Sequence, residues 1–470
     1  MTRARAARTL AAVLERRALA AVTLASLLGL FAQLLFFHEP LGLNALLVTA
    51  LFLAAAWTQR DPAAPVRARD AWLPASALAF AAFCMVRADA PLLAFDVLAT
   101  IGLAAATVSA WSGVPVSALP VAQVLAEGWS LGERVVLGAA DVAIPAWPRL
   151  RVARRRFDRV SGYVGGIGLA APFVVVFALL FSSADAVFAR SLENVFDLKR
   201  IADALAEAPG RLLIALAFAW PVAGAMAALW RVPRDYLTSR SRAMLAGESA
   251  TVALVLIAAL FAAFVTLQLA YLFGGRDTLD AAAITYSAYA RRGFFELIAV
   301  VLASAWYRLD LYQQAYGWTE LRFYATTAIA FLALALAIFG WSVARGRMSY
   351  ALQPLALAVV LVALGANAIG PAAFVARANI ARVLDPSGLP ADASRNFDAD
   401  TLVGLGGGAI AELVDAFPRL PLSQRLYADI LLRIALSRVD EDRTPDWQGW
   451  NFERERARVA LVRARDELLR

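Results

Sequence analysis

The chain has one cysteine and one histidine in 470 residues, and only 17% of it is charged. Its single lysine is Lys199. Each scarcity closes off a class of function. Cys84 stands alone inside an apolar segment, so neither an intramolecular disulfide nor a cysteine metal cage can form; it reads as a small core residue. His38 has only Glu39 beside it, in a tight turn. That is too few ligands for zinc, and the pair reads as solvated turn residues. The glycine run Gly404-Leu405-Gly406-Gly407-Gly408 is not followed by Lys-Ser/Thr, so it is no phosphate cradle and reads as a flexible turn. There is no serine nucleophile elbow and no histidine pair. No cofactor and no metal are expected. The lack of charge excludes an ordinary soluble domain, in which about a quarter of residues are charged; here 61% are hydrophobic.

What is present is a series of long apolar segments bounded by arginine. The net charge of +8 is almost all arginine, gathered at segment ends. That is the positive-inside pattern and not a nucleic-acid surface. The expected fold is all-α: a polytopic membrane protein of nine or ten spans with a small C-terminal helical domain. It is placed in a bacterial cytoplasmic (inner) membrane with its N-terminus in the cytoplasm, and the lipid bilayer is its first partner.

Residues 1–17 form a basic cytoplasmic N-terminus, and 18–111 hold four transmembrane helices. The segment Ala18 to Phe37 has about the roughly 20-residue spanning length and lacks a small-residue cleavage site. Residues 112–159 make a basic cytoplasmic linker whose first half lies along the interface. Residues 160–375 carry the remaining spans, and 376–470 the helical domain. Trp57, Trp72, Trp111, Trp230, Trp306 and Trp341 fall at segment ends, as an aromatic belt requires.

The stretch 285–324 breaks this pattern, because apolar sequence is crowded there with polar side chains. On a helix, Tyr286, Tyr289, Arg292 and Glu296 share a face. Arg308, Tyr312, Tyr316 and Glu320 repeat at +4, with Asp310 and Arg322 beside them. Arg292 is the expected partner of Glu296, and Arg308 of Asp310. Gly317 is expected to end one helix and Thr319 to cap the next. The apolar run Phe294 to Tyr307 is shorter than a bilayer core needs. It either crosses, giving ten spans and a cytoplasmic C-terminal domain, or dips and returns, giving nine and an extracytoplasmic one. Arg345 and Arg347 favour the second. This cluster either binds a ligand, ion or lipid head, or is an interhelical clamp with snorkelling ends.

Asp96 is an acid within a span, where ionisable groups are costly and default to a functional role; Asn44, Gln268 and Asn367 polarise other spans. In the C-terminal block Trp447 and Trp450, with Asn451 and Arg454, either form a partner surface or close the small core.

The runs TYSAYARRGFFEL (Thr285 to Leu297) and YRLDLYQQAYGWTELRFY (Tyr307 to Tyr324) resemble a bacterial membrane family filed as domain of unknown function 4173, related to 4153. The segment PLGLNALL from Pro40, SADAVF (Ser183 to Phe188), ANIAR (Ala378 to Arg382) and DWQGWNFERERA (Asp446 to Ala457) resemble it too. The resemblance implies a multi-span protein without an assigned activity. Such proteins usually separate the two central runs by further apolar sequence, which this chain lacks. Three functions follow from the residues. The leading one is a scaffold or signalling accessory binding a protein or lipid partner at the C-terminal domain. A transporter with a midplane site at Asp96 and Glu296 is a second. The third is an enzyme on lipid-linked substrates using an outer acid such as Glu39, Asp280 or Glu296.

Overall fold

A computed structural model of the chain describes residues 2–120, 123–124, 126–139, 198–230, 286–346, 351–389, 398–441 and 446–468. Among these, the regular elements are all helices. In chain order they are α1 (Thr2–Phe36), α2 (Leu43–Gln59), α3 (Trp72–Val86), α4 (Ala90–Trp111), α5 (Leu198–Ala228), α6 (Tyr286–Tyr316), α7 (Glu320–Ala344), α8 (Leu352–Ile369) and α9 (Pro371–Leu384). Five more complete the C-terminal part: α10 (Ala399–Gly404), α11 (Gly407–Ala416), α12 (Leu422–Glu441), α13 (Phe452–Arg463) and α14 (Arg465–Leu468). A further helix runs through 126–139.

Five helices carry stretches long and apolar enough to cross a membrane: Arg16–Phe36, Ala90–Trp111, Glu207–Ala228, Glu320–Ala344 and Leu352–Ile369. α2 is apolar but shorter. Nine or ten spans are expected from the sequence, and five candidates stand among the described residues. The spans expected near 160–181 and 251–274, with Gln268, SADAVF and Asp280, lie outside them. Leucines at 27, 30 and 34 of α1, Leu98 and Ile101 of α4, and Leu213 and Leu216 of α5 face outward. A helix that hides small residues and shows leucine is built for a hydrocarbon solvent. α1 and α5 meet through Ala21, Ala25 and Gly29, where a Cβ on Gly29 would collide with the Ala215 carbonyl.

The bundle has two unlike ends. At one, Arg67 donates to the Gly113 carbonyl at 2.9 Å, Trp57 and Trp111 meet edge to face at 5.1 Å, and Arg60 lies 4.0 Å from the Trp57 ring. Arg345 covers Trp341 in the same way where α7 finishes. The opposite end gathers the turn 37–42, the link 87–89, the turn 317–319 and Gly370, and on it sits the C-terminal part.

Between 294 and 307 the chain does not turn back: α6 is one uninterrupted helix of 31 residues, about 46 Å long at 1.5 Å per residue. Backbone hydrogen bonding continues through the Arg308 and Asp310 charges because these side chains can reach the helix surface without breaking it. Gly317 then reverses the chain at φ 78°, and Thr319 caps α7 by accepting from the Arg322 N–H, as the sequence predicts.

The C-terminal core does not close on itself. Leu402, Leu413, Phe417, Leu432 and Leu461 pack with Val375 and Ile380 of α9, and this core runs on into Phe323 of α7 and Ala366 of α8.

Candidate functional site

Three residues, Arg87, Ala88 and Asp89, link α3 to α4. Their spacing leaves no room for a loop, so Arg87 projects directly from the bundle end. Its guanidinium meets the carboxylate of Glu453 at 2.6 Å, with the two side chains 11% and 4% exposed. The same guanidinium donates to the carbonyls of Asn367 (2.6 Å) and Ala368 (3.2 Å) at the end of α8. Glu453 accepts a second bond from the Ala88 N–H at 3.0 Å. A buried ion pair is stable only when its remaining donors and acceptors are satisfied, and those carbonyls and that amide do so.

Glu453 belongs to the first turn of α13 and lies against the start of α11. A Cβ on Gly407 would overlap its backbone, and one on Gly408 would come within 3.0 Å of its carboxylate. The glycine run is therefore a close-packed crossing rather than a flexible turn. It lets an acid approach the positive end of a helix.

Asn451 caps α13 by accepting from the Arg454 N–H, while its amide donates to the carbonyls of Cys84 (3.1 Å) and Arg87 (2.8 Å). Arg454 donates to the carbonyls of Leu41 and Gly449, and burial pushes its guanidinium below the usual arginine range. The Leu43 N–H donates to the Trp450 carbonyl at 3.0 Å, and Glu39 accepts from the Asp446 N–H. So Glu39 is a ligand of the C-terminal segment rather than a solvated turn residue; His38 is exposed. Trp447 and Trp450 are 59% and 39% exposed. Neither ring belongs to a buried core, and the hydrogen bond to the Pro40 turn is made by the Trp450 backbone.

A second knot holds the α6–α7 turn. Asn379 accepts from the Trp318 N–H at 2.8 Å and donates to its carbonyl at 2.7 Å. Arg382 donates to the carbonyls of Gln313, Gln314 and Ala315, the open end of α6, and Arg322 takes the Gly317 carbonyl at 2.6 Å. Two cations thus cover one helix C-terminus, where negative dipole charge gathers. Burial first, then its neighbour Arg322, lowers the Arg382 guanidinium from its usual range.

The polar stretch singled out in the sequence is only partly drawn together. The Arg322 guanidinium lies 5.9 and 6.0 Å from the Tyr312 and Tyr316 rings, which stand 5.7 Å apart and are largely exposed. Asp310 accepts from Gln314 at 2.7 Å instead of pairing with Arg308, since one helical turn brings position 314 alongside and position 308 does not lie there. Arg308 is exposed. Glu320 is half-buried near Tyr324, whose hydroxyl donates to Asp89 at 3.0 Å. Tyr286, Tyr289, Arg292 and Glu296 fall on α6, and their side chains lie outside the described residues. Asp96 faces inward from α4 and accepts from the Asn367 amide at 2.7 Å, both residues being 0% exposed. Asn44 ties the α1–α2 turn by donating to the Leu35 and Pro40 carbonyls.

Sequence reasoning missed Arg87, Asp89 and Glu453. Charged residues in a three-residue link at the arginine-poor end were the available signal.

The segments that carried the family resemblance pair off here: PLGLNALL with DWQGWNFERERA, and the Tyr307–Tyr324 run with ANIAR. A family model, Domain of unknown function (DUF4153), matches residues 74–302 and 299–416. The chain belongs to the DUF4153 family. This is the relative of 4173 noted from the sequence. The DUF4153 match includes Arg87, Asp96, the α6–α7 turn, Asn367 and the glycine run, while Glu453 and the Pro40 turn lie beyond it. No curated protein and no solved structure matches the chain. Among the described residues no group of three or more histidine, cysteine or acidic side chains is arranged to hold a metal.

Proposed function

We propose that this DUF4153 protein is a membrane scaffold or signalling accessory whose C-terminal helices present a docking face for a protein partner. The observation that carries this reading is on α12. Leu422, Leu426, Ile430 and Ile434, spaced by four, are 72%, 64%, 56% and 45% exposed. Such a stripe normally faces a core or a partner. α12 already packs into the shared core on its other side through Ala428 and Leu432, so the stripe is surplus to that packing. An apolar helix of a partner protein is the fitting occupant. The flank of the stripe holds both signs, with Arg433 paired to Asp429 at 2.8 Å, a mixed rim typical of protein interfaces. It lacks the basic excess that draws a helix to anionic lipid.

The location proposed is a bacterial inner membrane with the N-terminus cytoplasmic. Supporting it, Arg60, Arg67, Arg69 and Arg345 collect at the end away from the C-terminal domain. The domain is then extracytoplasmic, on the side opposite the cytoplasmic N-terminus. The finer assignment to 4173 rests on the two central runs.

A photo-crosslinking residue in place of Leu426, in full-length protein in native membranes, tests the reading. Crosslinks to one protein species that Ile430→Asp abolishes support it. Crosslinks to lipid, or none above those from a residue on the opposite face, overturn it.

A further inference from the structure

We propose that Asp96 and Asn367 form an intramembrane proton-binding site, in which Asp96 holds a proton that it donates to the Asn367 amide oxygen. The reasoning is an accounting of donors. The Asn367 amide nitrogen spends both hydrogens, one on Asp96 Oδ1 at 2.7 Å and one on the Ala363 carbonyl at 3.2 Å. That fixes the amide orientation, since a flip would set its oxygen against two acceptors. Two acceptors then remain without a donor, Asp96 Oδ2 and Asn367 Oδ1. Both belong to residues that are wholly buried. A single proton on Asp96 Oδ2 serves both at once, turning the pair into a reciprocal acid–amide ring with two hydrogen bonds.

The ionised alternative is poor. A carboxylate at this depth costs several kcal/mol unless it is paired. The charged groups near enough to act on Asp96 are Asp89 and Arg87; the Cys84 thiol of α3, also close by, is neutral. Of these only Arg87 is cationic, and it is already engaged by Glu453 and two carbonyls. α8 presents Asn367, and α2 contains no ionisable residue. α5 meets α4 at the far end, around Val108. One turn beyond Asp96 on the same face, Thr100 has a buried hydroxyl without a partner. It supplies a polar step between the site and the rest of α4.

The site is coupled to the C-terminal clamp through α8. Arg87, which holds Glu453, also holds the carbonyls of Asn367 and Ala368. Loss of the proton leaves acceptor facing acceptor between α4 and α8, and so loosens the helix end on which the clamp is built.

The test is infrared spectroscopy of the full-length protein reconstituted in neutral lipid. At neutral pH the wild type should show a carboxylic-acid C=O band that shifts in heavy water and is absent in Asp96→Asn. An acid that carries its proton only when folded stabilises at low pH, and that stability is lost as pH rises through its folded value. The melting temperature of the wild type should therefore fall with rising pH relative to Asp96→Asn, whose amide pair is satisfied at every pH. Absence of the band in the wild type, or its persistence in Asp96→Asn, overturns the proposal. So does stabilisation by sodium that Asp96→Asn removes, since the ligand is then a metal cation. Should Asp96→Asn not fold, Asn367→Gln decides: the wild-type band must move when its acceptor is displaced.

Discussion

Arg87 shows how much one side chain can hold. It ties the α3–α4 link to the end of α8 and to Glu453 of α13, so its removal leaves a buried carboxylate without a counter-charge. Arg87→Ala should destabilise the detergent-solubilised protein by about 3–5 kcal/mol, read by thermal denaturation. It should also expose the C-terminal helices to protease, while a paired Arg87→Met, Glu453→Met variant should lose much less. Gly317 is a second such residue. Its positive φ predicts that Gly317→Ala costs at least about 1–2 kcal/mol from the backbone alone, and the added Cβ would also strike the Asn379 amide oxygen. Asp398 is a third. It caps α10, and the Thr401 hydroxyl first, then backbone N–H groups, hold its carboxyl below the usual range. A depressed acid contributes stability that is present above its unfolded value and lost as pH falls through the folded one. Acid melting of the wild type should thus be steeper than that of Asp398→Asn, whose cap does not titrate.

At the scale of elements, helices pair through segments that looked unrelated in sequence. The α6–α7 turn exists because Gly317 permits it and because Asn379 and Arg382 of α9 satisfy its backbone. α1 and α5 are neighbours because alanine and glycine let their backbones approach, so Gly29→Leu should separate them; a cysteine-crosslinking pair across this contact should lose most of its yield. Helix existence, the Thr319 cap and the Gly317 stop were legible, since they depend on residues within one turn of each other. The partner of Asp310 was misjudged, because a choice between neighbours one turn away and two residues away turns on side-chain direction. The exposed rings of Trp447 and Trp450 were unreadable too: whether an indole fills a core depends on what the remote Pro40 turn offers.

For the whole molecule, the two unlike ends predict sidedness. In a Cys84→Ser background, Trp447→Cys and Asp61→Cys should react with an impermeant thiol reagent from opposite faces of a sealed vesicle. Labelling of both from one face would refute this arrangement. By itself the sequence determined that the chain is apolar, helical and arginine-edged, because hydrophobic run length and charge placement are local properties that lipid reads directly. Tertiary structure alone decided that Glu453 answers Arg87, that Asn367 answers Asp96, and that the C-terminal helices share a core with α7, α8 and α9. The two polar pairs join residues hundreds of positions apart, where a buried charge or amide takes whichever partner the packing of the helices brings within reach.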